Sequence, residues 1–131
     1  MAQNTKPIFE LVPQLGVQQI APADTTTKKT LYTGDTDGTR IDSISVCSND
    51  TAAVNLMFYI TVSATDYFLG NVNIPIGSGY TTVPKVMAMA TLAPDLGYIW
   101  LPASAVLKVA ALATVTSAKV VDIIATAGDY S

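Results

Sequence analysis

The sequence predicts an all-β protein, an antiparallel β-sandwich or jelly roll, and three observations support that class. Val, Ile and Thr, which favour strands, make up 40 of the 131 residues. The straight-chain residues that favour helices are scarce, with one Glu and four Gln. Strand-like segments recur at spacings of roughly 8–12 residues with turn residues between them, a pattern typical of sandwiches. The length is that of one domain.

The N-terminal residues 1–27 differ from the rest of the chain. Pro7, Pro13 and Pro22 exclude a continuous helix and a central strand, so we expect an extended segment. It is either an edge strand and loop covering its own sandwich, or an arm lying on a neighbouring subunit. The candidate subunit-contact residues of such an arm are its apolar side chains: Ile8, Phe9, Leu11, Val12, Leu15, Val17 and Ile20. The sandwich domain is then 28–131.

The first half of this domain contains three predicted strands. Residues 29–36 and 39–48 flank Asp37-Gly38, a pair that favours a type I′ turn, so they form a predicted hairpin. Residues 54–62 alternate regularly and indicate a central strand. Its apolar face consists of Val54, Leu56, Phe58, Ile60 and Val62.

Four further strands and one ambiguous segment follow. Residues 66–76 and 98–101 are strand-like and are bounded by glycines and prolines. Residues 86–92 fit either a helical turn or a buried strand, because a short apolar run does not settle the period. Residues 105–114 and 118–126 alternate as strands, and the short connection between them predicts a second hairpin.

Charge and cysteine content exclude several classes. With seven Lys and Arg and a net charge of -3, the chain is not expected to bind nucleic acid. No run supplies the ~20 apolar residues of a membrane span, and Pro7, Glu10 and Pro13 interrupt any signal peptide. A single cysteine allows no internal disulfide, and Cys47, on an apolar strand face, is expected to be a buried structural thiol.

No catalytic, cofactor or metal site is predicted, and we expect a protein that is not an enzyme. The chain has no His, so triads built on that residue cannot form. Asp35-Thr36-Asp37-Gly38 resembles part of a calcium loop, but Thr33 and Ile44 then stand where the first and last ligands are needed. Asn49-Asp50-Thr51 fits a glycosylation sequon. Because no export signal is expected, we interpret it only as a polar turn.

The aromatic residues leave two interpretations open. They could form a stacking platform on one sandwich face, as in a carbohydrate-binding module, or they could pack in the core and at its rim. The residues concerned are Tyr59, Tyr67, Tyr80, Tyr98 and Trp100.

Several short segments together resemble the small virion structural proteins of tailed bacteriophages. They are Gly16-Val17-Gln18-Gln19-Ile20, Ile41-Asp42-Ser43-Ile44, Ser48-Asn49-Asp50-Thr51, Tyr67-Phe68-Leu69-Gly70, Ile74-Pro75, Leu101-Pro102, Val106-Leu107-Lys108-Val109 and Gly128-Asp129-Tyr130. The resemblance implies a β-sandwich that decorates or cements a capsid by binding beside the major capsid protein, commonly as an oligomer. It equally implies related parts of the neck, tail or baseplate. The implied location is the virion, assembled in the host cytoplasm.

Low charge points to self-association. Only 13% of the residues are charged and half are apolar, so we expect apolar surface that is covered by other copies of the chain. The composition therefore predicts the chain itself as a partner, and the resemblance implies other virion proteins, among them the major capsid protein.

Overall fold

A computed structural model describes residues 12–130, which form nine strands and two short helical turns. The strands are β1 (Val12–Ile20), β2 (Lys29–Thr33), β3 (Thr39–Ser48), β4 (Val54–Val62), β5 (Thr65–Ile74), β6 (Val86–Met87), β7 (Ile99–Leu101), β8 (Val106–Ala111) and β9 (Val121–Asp129). A 3-10 turn covers Pro22–Asp24, and a single α-helical turn, α1, covers Met89–Leu92.

The strands form two antiparallel sheets, which confirms the predicted β-sandwich. Sheet one has the order β1-β9-β3-β6, with β7 also paired to β3. Sheet two has the order β2-β8-β4-β5. The apolar residues that alternate along each strand point between the sheets and form one core. Its largest fully buried side chains are Phe58, Ile20, Ile41, Ile44, Leu56, Ile74, Leu101, Leu107 and Ile123.

The predicted strand at residues 54–62 is confirmed as β4, which lies between β8 and β5. Phe58 is fully buried, as the alternation predicts. Ile60 is only half-buried and Val62 is exposed, contrary to the prediction, because the last residues of β4 run beyond the core into the β4–β5 turn.

Both predicted hairpins are wrong. β2 and β3 flank Asp37-Gly38, but β2 belongs to sheet two and β3 to sheet one. The same holds for β8 and β9. Gly38 does adopt a positive φ of 93°, but Asp37 does not, so a turn forms at the predicted place and it is not of type I′. Turn chemistry does not say whether the chain returns to the same sheet or crosses to the other one.

The hairpin that does form joins β4 and β5 through Ser63 and Ala64. Both residues have positive φ, 51° and 65°, as a type I′ turn requires, although neither is a residue that usually marks such a turn. Residues 86–92, left open between strand and helix, contain both: β6 pairs with β3, and α1 follows it.

The N-terminal segment is described from Val12 onward, and Val12–Ile20 pairs with β9 along its whole length as an edge strand. Close packing against sheet two fixes its position. The α-carbon of Gly16 faces the backbone of β2 so tightly that a Cβ there would lie 2.6 Å from the Leu31 carbonyl oxygen. The Gln18 side chain donates to the carbonyl oxygen of Thr30 at 3.0 Å.

Two buried carboxylates tie the elements together. The hydroxyls of Tyr32 and Thr39 donate to Asp129 Oδ1 at 2.8 and 2.6 Å, which links sheet two to sheet one. Burial, followed by this hydrogen bond, raises the pKa of Tyr32 well above its usual value.

Asp50 accepts hydrogen bonds from the amides of Ala52 and Thr116 at 2.9 and 3.0 Å. Burial alone would raise the pKa of Asp50, but these hydrogen bonds outweigh it and lower the pKa below its usual value. The polar turn predicted at residues 49–51 therefore holds the loop between β8 and β9.

Candidate binding surface on sheet one

Sheet one is unusual because several apolar side chains lie on its outward side. On β1 the apolar residues Leu15 and Val17 point away from the core, with exposures of 60% and 59%. Of the alternate positions, Gln14, Gly16 and Gln18 are polar or small, and Ile20 at the end of the strand is an apolar residue that packs in the core. An ordinary half-buried strand has the reverse pattern.

Pairing across the sheet brings further apolar side chains beside these two. Val17 lies opposite Ile124 of β9, Ile124 opposite Ser45 of β3, and Ser45 opposite Met87 of β6. The next row contains Leu15, Thr126 and Ser43, in which the last two hydroxyls hydrogen-bond to each other at 2.6 Å. Ile124 is 43% exposed and Met87 48% exposed. We call these seven residues the neutral face: Leu15, Val17, Ser43, Ser45, Met87, Ile124 and Thr126.

A polar network borders the neutral face on one side. Asp122 accepts from the Gln19 side-chain amide at 2.7 Å and from the Tyr80 hydroxyl at 3.0 Å. The hydrogen bond to Asp122, with the charge of that carboxylate, raises the pKa of Tyr80. Cys47 lies opposite Asp122 in the same row. These contacts fix the orientation of Asp122 at the border.

Charged and aromatic side chains border the neutral face on the other side. Arg40 pairs with Asp42 at 2.7 Å and lies 5.7 Å from the ring centre of Tyr98. Trp100 packs against Tyr130, with ring centres 5.4 Å apart. The neutral face itself carries no formal charge, so a partner could cover it without desolvating an ion.

Neither a family model nor a curated protein matches this chain. Among solved structures, it is similar to a chain of the virus-like particle of the extra small virus of the giant freshwater prawn Macrobrachium rosenbergii. The two chains are 11% identical and superpose with a TM-score of 0.37, over 99% of this chain and 88% of the other. This is a weak structural likeness.

The outer face of sheet two has a different chemistry. Asp66 pairs with Lys28 at 2.7 Å and with Lys108 at 3.6 Å, and it accepts a hydrogen bond from Thr61. The hydrogen bond from Lys28 is the main cause that lowers the pKa of Asp66 to about 2. The Lys28 ammonium also lies 4.1 Å from the ring centre of Tyr59. This charged face offers ions that a partner would have to desolvate or match.

The candidate arm residues occupy three kinds of position. Ile8, Phe9 and Leu11 lie outside the described residues. Ile20 is 1% exposed and packs in the core of its own sandwich. Leu15 and Val17 belong to the neutral face, and Val12 is exposed at the start of the same strand.

Ile124 and Met87 are members of the neutral face that the sequence did not single out. A signal for Ile124 is present: Ile123 and Ile124 are consecutive in a strand, so one of them must point outward. Met87 carries no comparable signal, because the period of its segment was ambiguous.

The aromatic residues do not form one platform. Tyr59 and Tyr67 belong to sheet two, where Tyr59 meets Phe68 edge-on with ring centres 5.6 Å apart. Trp100 belongs to β7 in sheet one. The interpretation that the five residues share a sandwich face is therefore wrong.

The prediction for Cys47 is also wrong, because its thiol is half-buried on the outer side of sheet one. Val46 and Ser48, its neighbours in β3, point inward, so Cys47 points outward. The chain at Gly79 packs over it, with the position of a Cβ there only 2.5 Å from Cys47 Sγ.

Within residues 12–130 there is no group of three or more Cys, Asp or Glu side chains placed to hold a metal ion. No helix of this part of the chain is long and apolar enough to cross a membrane.

Proposed function

We propose that this chain is a non-enzymatic structural protein of a virus particle, specifically a decoration or cement protein that binds the major capsid protein lattice of a tailed bacteriophage. The observation that carries the proposal is the neutral face, an outward surface of a folded sandwich that carries apolar side chains and no formal charge. The strand and turn resemblance described above supports the choice of virus.

The chemistry of the neutral face suits a permanent contact. When a partner covers Leu15, Val17 and Ile124, their apolar surface is removed from water. This burial stabilises the contact by about 25 cal/mol for each Å² covered. Ser43 and Thr126 already satisfy each other, so covering them leaves few unpaired polar groups. Contiguous exposed apolar surface of this kind marks protein contacts.

The first experiment measures copy number. The particle is purified and its proteins are quantified by mass spectrometry against isotope-labelled peptides of this chain and of the major capsid protein. A decoration protein is present in hundreds of copies, in fixed ratio to the major capsid protein. A few copies would place the chain at the neck, tail or baseplate instead, and absence from the particle would overturn the proposal.

The second experiment tests the surface. Ile124→Lys places a charge in the neutral face, while Asn71→Lys places the same charge at an exposed position of β5 in sheet two. Particles assembled without the chain are incubated with each purified variant and sedimented. Ile124→Lys is expected to lose attachment by at least tenfold and Asn71→Lys to retain it. Equal attachment of both variants would contradict the use of the neutral face.

A further inference from the structure

The edges of the two sheets differ in how well they are protected. At the far edge of sheet one, β6 and β7 are only two and three residues long. The edge strands of sheet two carry charge: β2 contains Lys29 and β5 contains Asp66, and α1 packs against β5. β1 is nine residues long and contains no charged residue. Exposed edges of that length and composition can pair with another chain unless something blocks them.

Two hydrogen bonds at the C-terminal end of β1 show which main-chain groups face its open side. The amide of Gln19 donates to the Gln18 side chain at 3.2 Å, and the carbonyl oxygen of Gln19 accepts from Lys29 Nζ at 2.6 Å. Neither group therefore serves the ladder with β9. The register with β9 is unbroken from Val12 to Ile20, so alternate residues share this orientation. Pro13, Leu15, Val17 and Gln19 accordingly direct their main-chain groups to the open edge.

The middle of this edge has unused hydrogen-bonding capacity. Each of Leu15 and Val17 presents one amide and one carbonyl oxygen to the open side, and no group of residues 12–130 hydrogen-bonds to them there. Pro13 has no amide to donate, and its position shows that proline is compatible with this side of β1. On the open side of β1, the main-chain groups of Gln19 are therefore already hydrogen-bonded and Pro13 has no amide. The amides and carbonyl oxygens of Leu15 and Val17 between them are available to pair with another strand.

We propose that two copies of this chain pair antiparallel through β1 about a two-fold axis at Gly16, with Leu15 opposite Val17 of the partner subunit. The two Leu15–Val17 pairs then exchange four main-chain hydrogen bonds. Pro13 lies opposite Gln19 of the partner subunit. That match is complementary, because the residue without a donor faces a carbonyl oxygen that already accepts from a lysine.

Pairing at the edge leaves the outward side chains accessible. It aligns Ile124 and Val17 of one copy with Leu15 of the other, so the two neutral faces form one continuous surface without formal charge. The dimer therefore enlarges the surface to which the proposed function assigns capsid binding. It does not depend on that function, since the edge pairing uses main-chain groups and the capsid contact uses side chains.

The dimer is tested by proline substitution at the open edge. Val17→Pro and Leu15→Pro each remove one open-edge amide and no ladder donor to β9. The full chain and both variants are measured by sedimentation equilibrium, and thermal unfolding confirms that each is folded. The wild type is expected to be a dimer and each proline variant to dissociate at least tenfold more readily. Ile124→Lys, which changes the face and not the edge, should remain dimeric while losing attachment to particles.

The register is tested independently by crosslinking, which does not depend on the proline variants folding. In a Cys47→Ser background, Leu15→Cys and Val17→Cys proteins are mixed and oxidised. The mixture is expected to form a disulfide-linked heterodimer, and neither variant alone should crosslink with itself. A monomeric wild type, a dimer that survives both proline substitutions, or self-crosslinking of Leu15→Cys would overturn the proposal. So would a dimer that forms only after residues 1–11 are deleted, because that result would show the chain's own N-terminus covering the edge.

Discussion

The outer faces of the two sheets cover the same core and differ in where they carry charge. On sheet two, Asp66 is held by Lys28 and Lys108, so that face carries ions. On sheet one, Val17 and Ile124 lie side by side in a surface without formal charge. Since the core needs only the inner faces to be apolar, stability does not explain the exposed aliphatic side chains of Leu15, Val17 and Ile124. This difference is the reason why the proposed function assigns the contact to the neutral face of sheet one.

The largest effect should come from the core that both faces share. Phe58→Ala is expected to destabilise the protein by about 3–5 kcal/mol, because it removes the largest fully buried side chain and leaves a cavity. Phe68→Ala, the matched change on the exposed side of sheet two, should cost about 1 kcal/mol or less. Chemical denaturation measures both. Equal losses would show that the inner and outer sides of sheet two have been exchanged.

The next effect concerns the link between the two sheets. Tyr32→Phe removes a hydrogen bond from sheet two to the Asp129 carboxylate and should cost about 1–2 kcal/mol at neutral pH. Since folding raises the pKa of Tyr32, its contribution is complete below its ordinary pKa of about 10 and declines as the pH rises above that value. The wild type should therefore lose stability above pH ~10 in thermal unfolding more steeply than Tyr32→Phe. Parallel curves would contradict the link.

A smaller effect is expected where the two faces are compared directly. Ile124→Lys and Asn71→Lys both change exposed positions, so each should alter the free energy of unfolding by no more than about 0.5 kcal/mol. Their agreement in stability makes them a fair pair for the attachment experiment. A loss of several kcal/mol in Ile124→Lys alone would mean that this position is part of the fold rather than a free surface.

The smallest effect belongs to the ions of sheet two. Folding lowers the pKa of Asp66 to about 2, so its stabilising contribution is present above its unfolded pKa of about 4 and is lost as the pH falls from there toward 2. In Asp66→Asn the free energy of unfolding should therefore fall slightly less than in the wild type as the pH is lowered from about 4 toward 2. At neutral pH the substitution should cost little stability, because these charges are exposed to solvent. An acid limb identical in both proteins would show that the Lys28 pair does not form in solution.

The regular parts of the fold were predictable because local pattern determines them. β4 was predicted with its observed limits, since its alternation is uninterrupted and it runs through the centre of a sheet. Bulges in other strands hide the pattern: Asp42 has no partner in β9, so Ile41 and Ile44 both point inward although they are three residues apart.

Long-range pairing was not predictable. Asp37-Gly38 marks a turn, but the sheet in which the next strand lies depends on which partner it finds later in the chain. The candidate surface shows the same limit. Leu15 and Val17 were recognised as contact candidates because they lie in a proline-interrupted segment. Ile124 and Met87 join them only through the pairing of β1, β9, β3 and β6.

The central claim is that the neutral face of sheet one, and not the charged outer face of sheet two, contacts the neighbour. Cryo-electron microscopy of the intact particle tests it most directly. The account predicts that Val17 and Ile124 are buried against the capsid while Lys28 and Asp66 face solvent. A reconstruction in which the capsid covers Lys28 and Asp66, with Val17 and Ile124 open to solvent, would contradict it.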